Sequence, residues 1–427
     1  MNFSEQLKTG LQLNTQILAS IIFIALSGHT VLSAQRGGAS QASLQDYKAR
    51  IPLMRAQISI ITNSAQISAE RIMEKPAALL NVPYWEQPSV AEELLNRAGG
   101  LALALPTIER AADATDRDVV LLSVRSWDQD GTNAVKLVNE YRKKGWFVNL
   151  FASRIGCPTN LVVDAFIDNG APSPGKEQGR INVLANATLG WMWCCEYTSA
   201  MTRKGKIPGI LMSVGLPEGD AYNQPIQSRE GRHFMGTCST PIPAGELAEK
   251  YLHRVETLVA DLESAPRQKQ IKKASDIIAK RMKAGKTVGL AGVGHLILFE
   301  AELDNQAPWK GFSGVAIQQG QTVPFLKPGD LLMWIAYSGG LNSKYCNFAS
   351  AIKKSQLDVI SSFTADPRSP VDNGEVKPLA HIDQTWAIGD SEIPLPCPPG
   401  RMAPISGLNS VLIQRMLDDE VAARLAR

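Results

Sequence analysis

DLLMWIAYSGGLNSKYCNFASAIKKSQLDVISSFTA, residues 330–365, decides the fold. It opens on Asp330 and runs through an uninterrupted apolar stretch to Ala336. It then breaks into Ser, Gly and Asn at residues 337–343, resumes as a helix ending in Lys353 and Lys354, and closes on a second apolar stretch. Residues 118–153, DVVLLSVRSWDQDGTNAVKLVNEYRKKGWFVNLFAS, follow the same plan over the same length. Strands that are apolar at every position, rather than at alternate ones, are buried on both faces. Alternation of such strands with helices predicts a parallel sheet covered on both sides.

Two shorter blocks accompany each copy in the same order. Glu93-Leu94-Leu95-Asn96-Arg97-Ala98 upstream matches Glu302-Leu303-Asp304-Asn305-Gln306-Ala307. Downstream, Ala187-Thr188-Leu189-Gly190 and Ile405-Ser406-Gly407-Leu408 each open a terminal helix. Three blocks at near-constant offset read as duplication of one α/β domain. The first domain is expected over residues 45–205 and the second over 246–427. Residues 206–245, rich in Gly, Pro and polar side chains, form the expected linker. The helical run at residues 246–284 is expected as a core or interdomain helix.

A chain of 427 residues suits two or three domains, and 44% hydrophobic with 20% charged residues is the composition of a globular protein. The net charge is +3 with Lys and Arg scattered, so no nucleic-acid footprint is present. Residues 1–34 read differently. A weakly basic start, the apolar core from Ile17 to Leu26, and small residues up to Ser33-Ala34 form the pattern of a secretory signal peptide. The expectation is export to the periplasm or beyond, with no stable membrane span once the segment is removed. An uncleaved anchor or a cytoplasmic chain is the alternative. Six cysteines include no CxxC pair, and the five histidines lie far from them and from one another, so neither a metal nor another cofactor is expected. Adjacent Cys194 and Cys195 read as buried thiols, and nothing in the spacing demands a disulfide.

The candidate site lies in the second half. A strand at residues 286–290 is followed by Gly292-Val293-Gly294-His295 and a helix at 296–303. The next strand ends in Tyr337-Ser338-Gly339-Gly340-Leu341-Asn342-Ser343. Consecutive parallel strands present both loops on one C-terminal edge, where open α/β sheets bind ligands. Gly292, Gly294, Gly339 and Gly340 allow close backbone approach, while Ser338, Asn342 and Ser343 supply hydrogen bonds and an anion nest.

AGVGH followed by DLLMWIAYSGGLN, its helix and VISSFTAD resembles the sugar-isomerase (SIS) domain. In the first half AEELLNRAGGL (91–101), FIDNGAP (166–172) and ILMSVGLPEGDAYN (210–223) are similar to one group of bacterial SIS proteins. GRMAPISGLNSVLIQRMLDDEVAARL (400–425) resembles the closing helix of such a domain. The resemblance covers about residues 45–425. It implies two tandem Rossmann-like, doubly wound parallel-sheet SIS domains packed as an intrachain pseudo-dimer, with a homo-oligomer as a further way of pairing.

It also implies a small-molecule sugar derivative of phosphosugar type as partner, with Ser406 joining the ligand-binding set. For isomerase chemistry, which needs a base near C1 and C2, the candidates are His295 and Glu302. His381 and Glu392 are expected to reach across the interdomain site. Leu296 stands where the group usually has serine. The first half has no glycine in residues 81–89, and its loop at 125–133 carries Asp128 and Asp130, which disfavour phosphate. That loop is either solvated or holds an uncharged sugar between Trp85 and Trp127. Beyond an isomerase, the alternatives are a non-catalytic sugar sensor and a lyase acting on a cell-wall amino sugar.

Overall fold

The computed structural model describes residues 41–427 apart from 76, 85–87, 107–113, 174–178, 227–228, 298–299, 301–309, 314–321, 324, 338–347, 366–370, 372–375 and 388. The expectation for residues 1–34 therefore lies outside the described residues. Two helices come first, α1 (Ala42–Arg55) and α2 (Ile58–Glu74). The first sheet follows with β1 (Leu80–Val82), α3 (Pro88–Leu94), β2 (Ala104–Pro106), β3 (Val119–Ser123), α4 (Trp127–Lys143), β4 (Phe147–Ala152), β5 (Ala165–Asp168) and α5 (Gly179–Arg203). A crossover holds β6 (Lys206–Ile207), α6 (Gly219–Ile226), α7 (Arg229–His233) and β7 (Gly236–Thr237). The second half holds α8 (Glu246–Glu263), α9 (Ala265–Lys283), β8 (Val288–Val293), β9 (Lys310–Ser313), β10 (Leu331–Ala336), α10 (Phe348–Ser355), β11 (Asp358–Phe363), β12 (Ala380–Asp383), the hairpin β13 (Ile393–Pro394) and β14 (Arg401–Met402), and α11 (Ser406–Leu425).

Each half carries a five-stranded, all-parallel sheet. The first runs β2-β1-β3-β4-β5 and the second β9-β8-β10-β11-β12, which is the same spatial order within each half. The order reverses beside the first strand, the switch point at which such sheets open a crevice. Alternation along β3 and β4 divides the packing: Val120, Leu122, Val148 and Leu150 face α4, while Val119, Leu121 and Phe151 face the central core with α2 and α5. In the second sheet Leu332, Trp334 and Val359 face α10, and Leu331, Met333 and Ile360 face the central core. Both faces are covered, as the continuous apolar strands require.

That central core runs unbroken through both halves. Helix α5 is buried around its whole circumference through Thr202, so it shows no amphipathic stripe. Its Trp191 and Trp193 are fully buried, each contributing on the order of 3 kcal/mol or more of apolar burial. The Trp193 indole N–H is satisfied at 3.2 Å from both Ser64 Oγ and Asn149 Oδ1. Helix α1 packs on α5, α8 and α11 and so joins the halves. The helical run at 246–284 is two helices, because Ser264 is extended and Pro266 opens α9.

The crossover pairs back onto the first half, with Gly99 N–H donating to Leu211 O at 2.7 Å and Ala102 N–H to Gly209 O at 2.8 Å. A disulfide joins Cys238, just after β7, to Cys397 in the hairpin before α11, with Cα atoms 5.7 Å apart. Nothing in the cysteine spacing signalled it. Cys194 and Cys195 are buried free thiols. Among the described residues no helix is long and apolar enough to cross a membrane, and no cluster of three metal-ligating side chains forms.

Candidate functional site

The C-terminal edge of β8 and β10 faces the first half. Gly292, expected in the turn, lies inside β8 opposite Ile335. The turn itself is Gly294 and His295. Gly294 has φ of +149°, a conformation that side-chain-bearing residues rarely adopt, so glycine is needed there. Leu296 then begins a helical turn. His295 Nδ1 donates to the carbonyl of Glu92 in α3 at 3.0 Å, leaving Nε2 as the acceptor. Burial first, and then the Arg97 charge, push its pKa down to about 3, so this imidazole is neutral near pH 7. Tyr337, just past β10, stacks on Trp386 at 4.6 Å, and its hydroxyl lies 3.1 Å from Ser213 Oγ of the crossover. Ser338, Gly339, Gly340, Asn342, Ser343 and Glu302 lie outside the described residues.

Helix α3 completes this edge with a carboxylate that belongs to the other half. Glu93 is fully buried. Its Oε1 accepts the Trp191 indole N–H at 3.1 Å, and its Oε2 accepts the Leu296 backbone N–H at 3.1 Å. Arg97 Nε lies 3.3 Å from Glu93 Oε1, and its Nη2 donates to Asp390 Oδ2 at 2.9 Å and to Ser406 Oγ at 2.7 Å. Asp390 in turn accepts the Ile405 and Ser406 backbone N–H groups at 3.0 and 3.1 Å and the Ser406 hydroxyl at 2.6 Å. This carboxylate therefore caps α11, where negative charge is favoured. Ser406, expected to bind ligand, already spends its hydroxyl on Arg97 and Asp390.

Gly407 sits against Glu93 so closely that an added Cβ would lie 2.3 Å from Oε2. Only glycine permits that approach at this position. Burial raises the Glu93 pKa to about 6, against the opposing pull of Arg97 and of the Trp191 hydrogen bond. Burial likewise raises Asp390. A buried carboxyl group that changes charge near neutrality can both accept and return a proton.

The reciprocal contact exists on the other side of the seam. Glu300 accepts the Ser89 hydroxyl at the start of α3 at 2.8 Å, just as Glu93 accepts the N–H of Leu296 at the start of the facing helix. This crossed pair relates Glu300 to Glu93 in space; Glu302, which the sequence blocks match to Glu93, lies outside the described residues. The environments differ. Arg125 at 3.3 Å and Arg415 at 2.7 Å outweigh burial and hold the Glu300 pKa below its ordinary value, so it is a fixed anion.

In the first half, residues 127–133 are the start of α4 rather than an extended loop. Asp130 Oδ2 accepts the backbone N–H groups of Arg125 at 3.2 Å and Ser126 at 3.1 Å. The nest that could hold an anion is thus filled by a side chain of the same loop. Trp127 is 7% exposed and donates its indole N–H to Ser153 O at 2.7 Å, which removes it as a stacking surface. Trp85 lies outside the described residues.

Helix α5 begins at Gly179, eleven residues before the Gly190 expected to mark its start. His381 sits on β12 with Nδ1 2.9 Å from Ser361 Oγ and its ring 4.7 Å from Phe363, away from the seam. Glu392 pairs with Arg254 at 2.9 Å and ties the hairpin to α8. Open cavities of about 380 and 560 Å³ lie instead along α2, with Ser59 and Asn63 lining both.

No protein-family model and no curated protein matches the chain. Among solved structures it is similar to a candidate phosphosugar isomerase from Silicibacter pomeroyi DSS-3, with TM-score 0.52 and 13% identity over 91% of this chain and 98% of that one. It is also similar to a candidate sugar-binding protein from Salmonella typhimurium LT2, with TM-score 0.50 and 9% identity over 89% and 98% of the two chains. At these identities the likeness is one of fold. Two parallel sheets of identical strand order on one shared core, with these likenesses over nearly the whole chain, give the protein the fold of two tandem sugar-isomerase (SIS) domains.

Proposed function

We propose that the chain binds a small carbohydrate derivative of phosphosugar type where α3 meets the C-terminal edge of the second sheet. The observation that carries this reading is the convergence of Glu93 from one half with the Gly294–Leu296 turn and the start of α11 from the other. The names borne by the similar folds, a candidate phosphosugar isomerase and a candidate sugar-binding protein, support the ligand class. In this reading the loop of Ser338, Gly339, Gly340, Asn342 and Ser343 cradles the phosphate, and Gly294 lets the ligand approach the backbone. Because Asp130 fills the corresponding nest of the first half, one anion site is expected rather than two.

Turnover of an aldose–ketose type is the second reading, and Glu93 favours it. A base for such chemistry must shuttle one proton between neighbouring carbons near neutral pH. The proton moves to Glu93 Oε, an enediol forms, and the same carboxyl group returns it to the adjacent carbon. Neutral His295, with Nε2 as acceptor, suits a hydroxyl contact during ring opening. Glu302 keeps its place as the alternative base.

Export belongs to the same reading and is supported by the buried Cys238–Cys397 disulfide together with the pattern of residues 1–34. The test is a thermal-shift screen with glucose 6-phosphate, fructose 6-phosphate, glucosamine 6-phosphate and their unphosphorylated parents. At least one should raise the melting temperature, and a flat panel would sink the reading. NMR of the binding sugar in D₂O then separates the functions. Deuterium entry at C2 that is lost in Glu93→Gln means isomerase chemistry, and binding without exchange means a sensor.

A further inference from the structure

Helix α2 presents a solvent face that differs from its counterpart in the second half. Gln57, at the start of α2, accepts the Asp168 backbone N–H with its Oε1 at 3.1 Å, and Gln270 of α9 accepts the Asp383 N–H in the same way at 3.3 Å. Asp168 and Asp383 end the edge strands β5 and β12, so the two glutamines mark equivalent points on the two helices. Counted from there, the exposed positions of α9 are Lys272, Lys273, Asp276 and Lys280. The matching residues of α2 are Ser59, Ile60, Asn63 and Ile67, with no charge among them. Charge is the usual dress of a solvated helix face, and one of these two helices lacks it.

The apolar character continues beyond the helix. Ile60 is 39% exposed, and Ile155 and Val162, between β4 and β5, are 48% and 56% exposed. Ser59 and Asn63 form a ridge between the two open cavities, one of about 380 Å³ toward β5 and one of about 560 Å³ toward Arg203 and Gly245. A ridge flanked by grooves is the surface one helix offers another. Helix α2 has 17 residues and so a length of about 25 Å. With its grooves the face is about 20 Å across, near twice a helix diameter, so a pair of such faces would bury about 1,000 Å² in all. That is the low end for specific association.

We infer that a second copy of the chain covers this face, with α2 packed antiparallel on α2 about a two-fold axis near Asn63. The stripe is its own complement under that rotation. Ile60, Asn63 and Ile67 lie at i, i+3 and i+7, so reversal sets Ile60 of one copy on Ile67 of the other and brings the two Asn63 side chains together. An amide carries both donors and an acceptor and can pair with itself, and a single polar residue in a helix seam fixes its register. Charge agrees. Beside the start of α2, Arg55 faces both Glu249 and Glu256, which leaves a negative surplus. At its far end Glu70 and Glu74 are balanced by Lys204 and Arg117, and Arg71 adds a positive charge. Reversal places the acidic end of one copy against the basic end of the other. The sugar site plays no part in this contact.

The experiment is sedimentation velocity on the full chain from about 1 to 200 µM, a range chosen for the dissociation constant of about 1–100 µM that so small an interface predicts. Ile60→Lys/Asn63→Asp puts the residues of α9 on α2, and Lys273→Glu in α9 is the control. Both sites are exposed, so circular dichroism melting should match wild type. Wild type and Lys273→Glu should form dimers with the same midpoint, and the α2 double variant should dimerise at least about 10-fold more weakly, with an uncompensated charge in the seam. A wild type that stays monomeric to about 200 µM overturns the inference. So does a dimer that the α2 variant leaves unweakened, or one that Lys273→Glu weakens equally. Single Ile60→Cys and Ile67→Cys proteins, oxidised alone and mixed, test the register: the mixed disulfide should dominate, and homodisulfides without it would overturn the antiparallel packing.

Discussion

Substituting Gly407 by alanine tests the closest contact across the seam. The new Cβ would sit 2.3 Å from Glu93 Oε2 and 2.6 Å from Oε1, well inside contact distance, in a region with no exposed surface. Glu93 cannot swing away without losing the Leu296 N–H, the Trp191 indole or the Arg97 guanidinium. Overpacking costs about 1–3 kcal/mol, and a lost hydrogen bond to a charged group about 1.5–3 kcal/mol. The gain in helix propensity from Gly to Ala returns at most about 1 kcal/mol. The net loss is then about 2–4 kcal/mol. With an unfolding entropy of about 2.1 cal/mol/K per residue over residues 39–427, that lowers the melting temperature by about 2–5 °C. Gly131→Ala in α4 is the control, since its Cβ would meet Trp127 at ordinary distances, 3.4 Å from Cε3 and 3.9 Å from Cβ, and it should melt slightly above wild type. Differential scanning calorimetry at pH 7 reads both. A Gly407→Ala protein that melts at or above wild type would refute the seam geometry.

Glu93→Gln should change the pH dependence of stability. Glu93 has a folded pKa of about 6, above its unfolded value, so its contribution is fully present below about pH 4.5 and is lost as pH rises through about 6. Wild type minus variant should therefore fall by about 2 kcal/mol between pH 4.5 and 7, read from urea midpoints; a difference flat across that window contradicts it. His295 acts in the opposite sense. Its pKa is depressed to about 3, so stability rises with pH between about 3 and 6.5, and His295→Asn should flatten that limb. Removing the disulfide with Cys238→Ser/Cys397→Ser reopens a loop with sequence separation 159. The chain-entropy limit is about 5 kcal/mol, and titration of unreduced, denatured protein should find two fewer thiols than after reduction. Asp130→Ala should cost about 1–2 kcal/mol through its two backbone N–H partners, while exposed Asp128→Ala stays within about 0.5 kcal/mol; equal effects would mean Asp130 is not a cap.

The fold was legible because strands such as Leu331–Ala336 are apolar at every position, a pattern that follows from burial on both faces. Helix starts were harder to read. Helix α5 is buried all round, so no periodicity marks Gly179, and the block Ala187-Thr188-Leu189-Gly190, taken as a helix start from its match to Ile405-Ser406-Gly407-Leu408, lies deep inside the helix. The residue 125–133 stretch looked like a loop because Asp128, Asp130 and Gly131 are poor interior helix residues. They sit in the first turns of α4, where acidic side chains suit the dipole.

At the candidate site, sequence located the turn at Gly294 and His295 and flagged Glu93 as recurring. It missed Arg97 with Asp390 and Ser406, the pairing of Glu300 with Ser89, and the Cys238–Cys397 bridge. Those partners stand between 159 and 309 positions apart, and no local pattern encodes them.

The most direct test of the account is a crystal structure of the protein with the sugar phosphate that gives the largest thermal shift. The account predicts the sugar beside Glu93 and His295, with its phosphate on residues Ser338 to Ser343. A sugar lying instead in the α2 cavity near Asn63 and Arg154, with the seam unchanged, would contradict it.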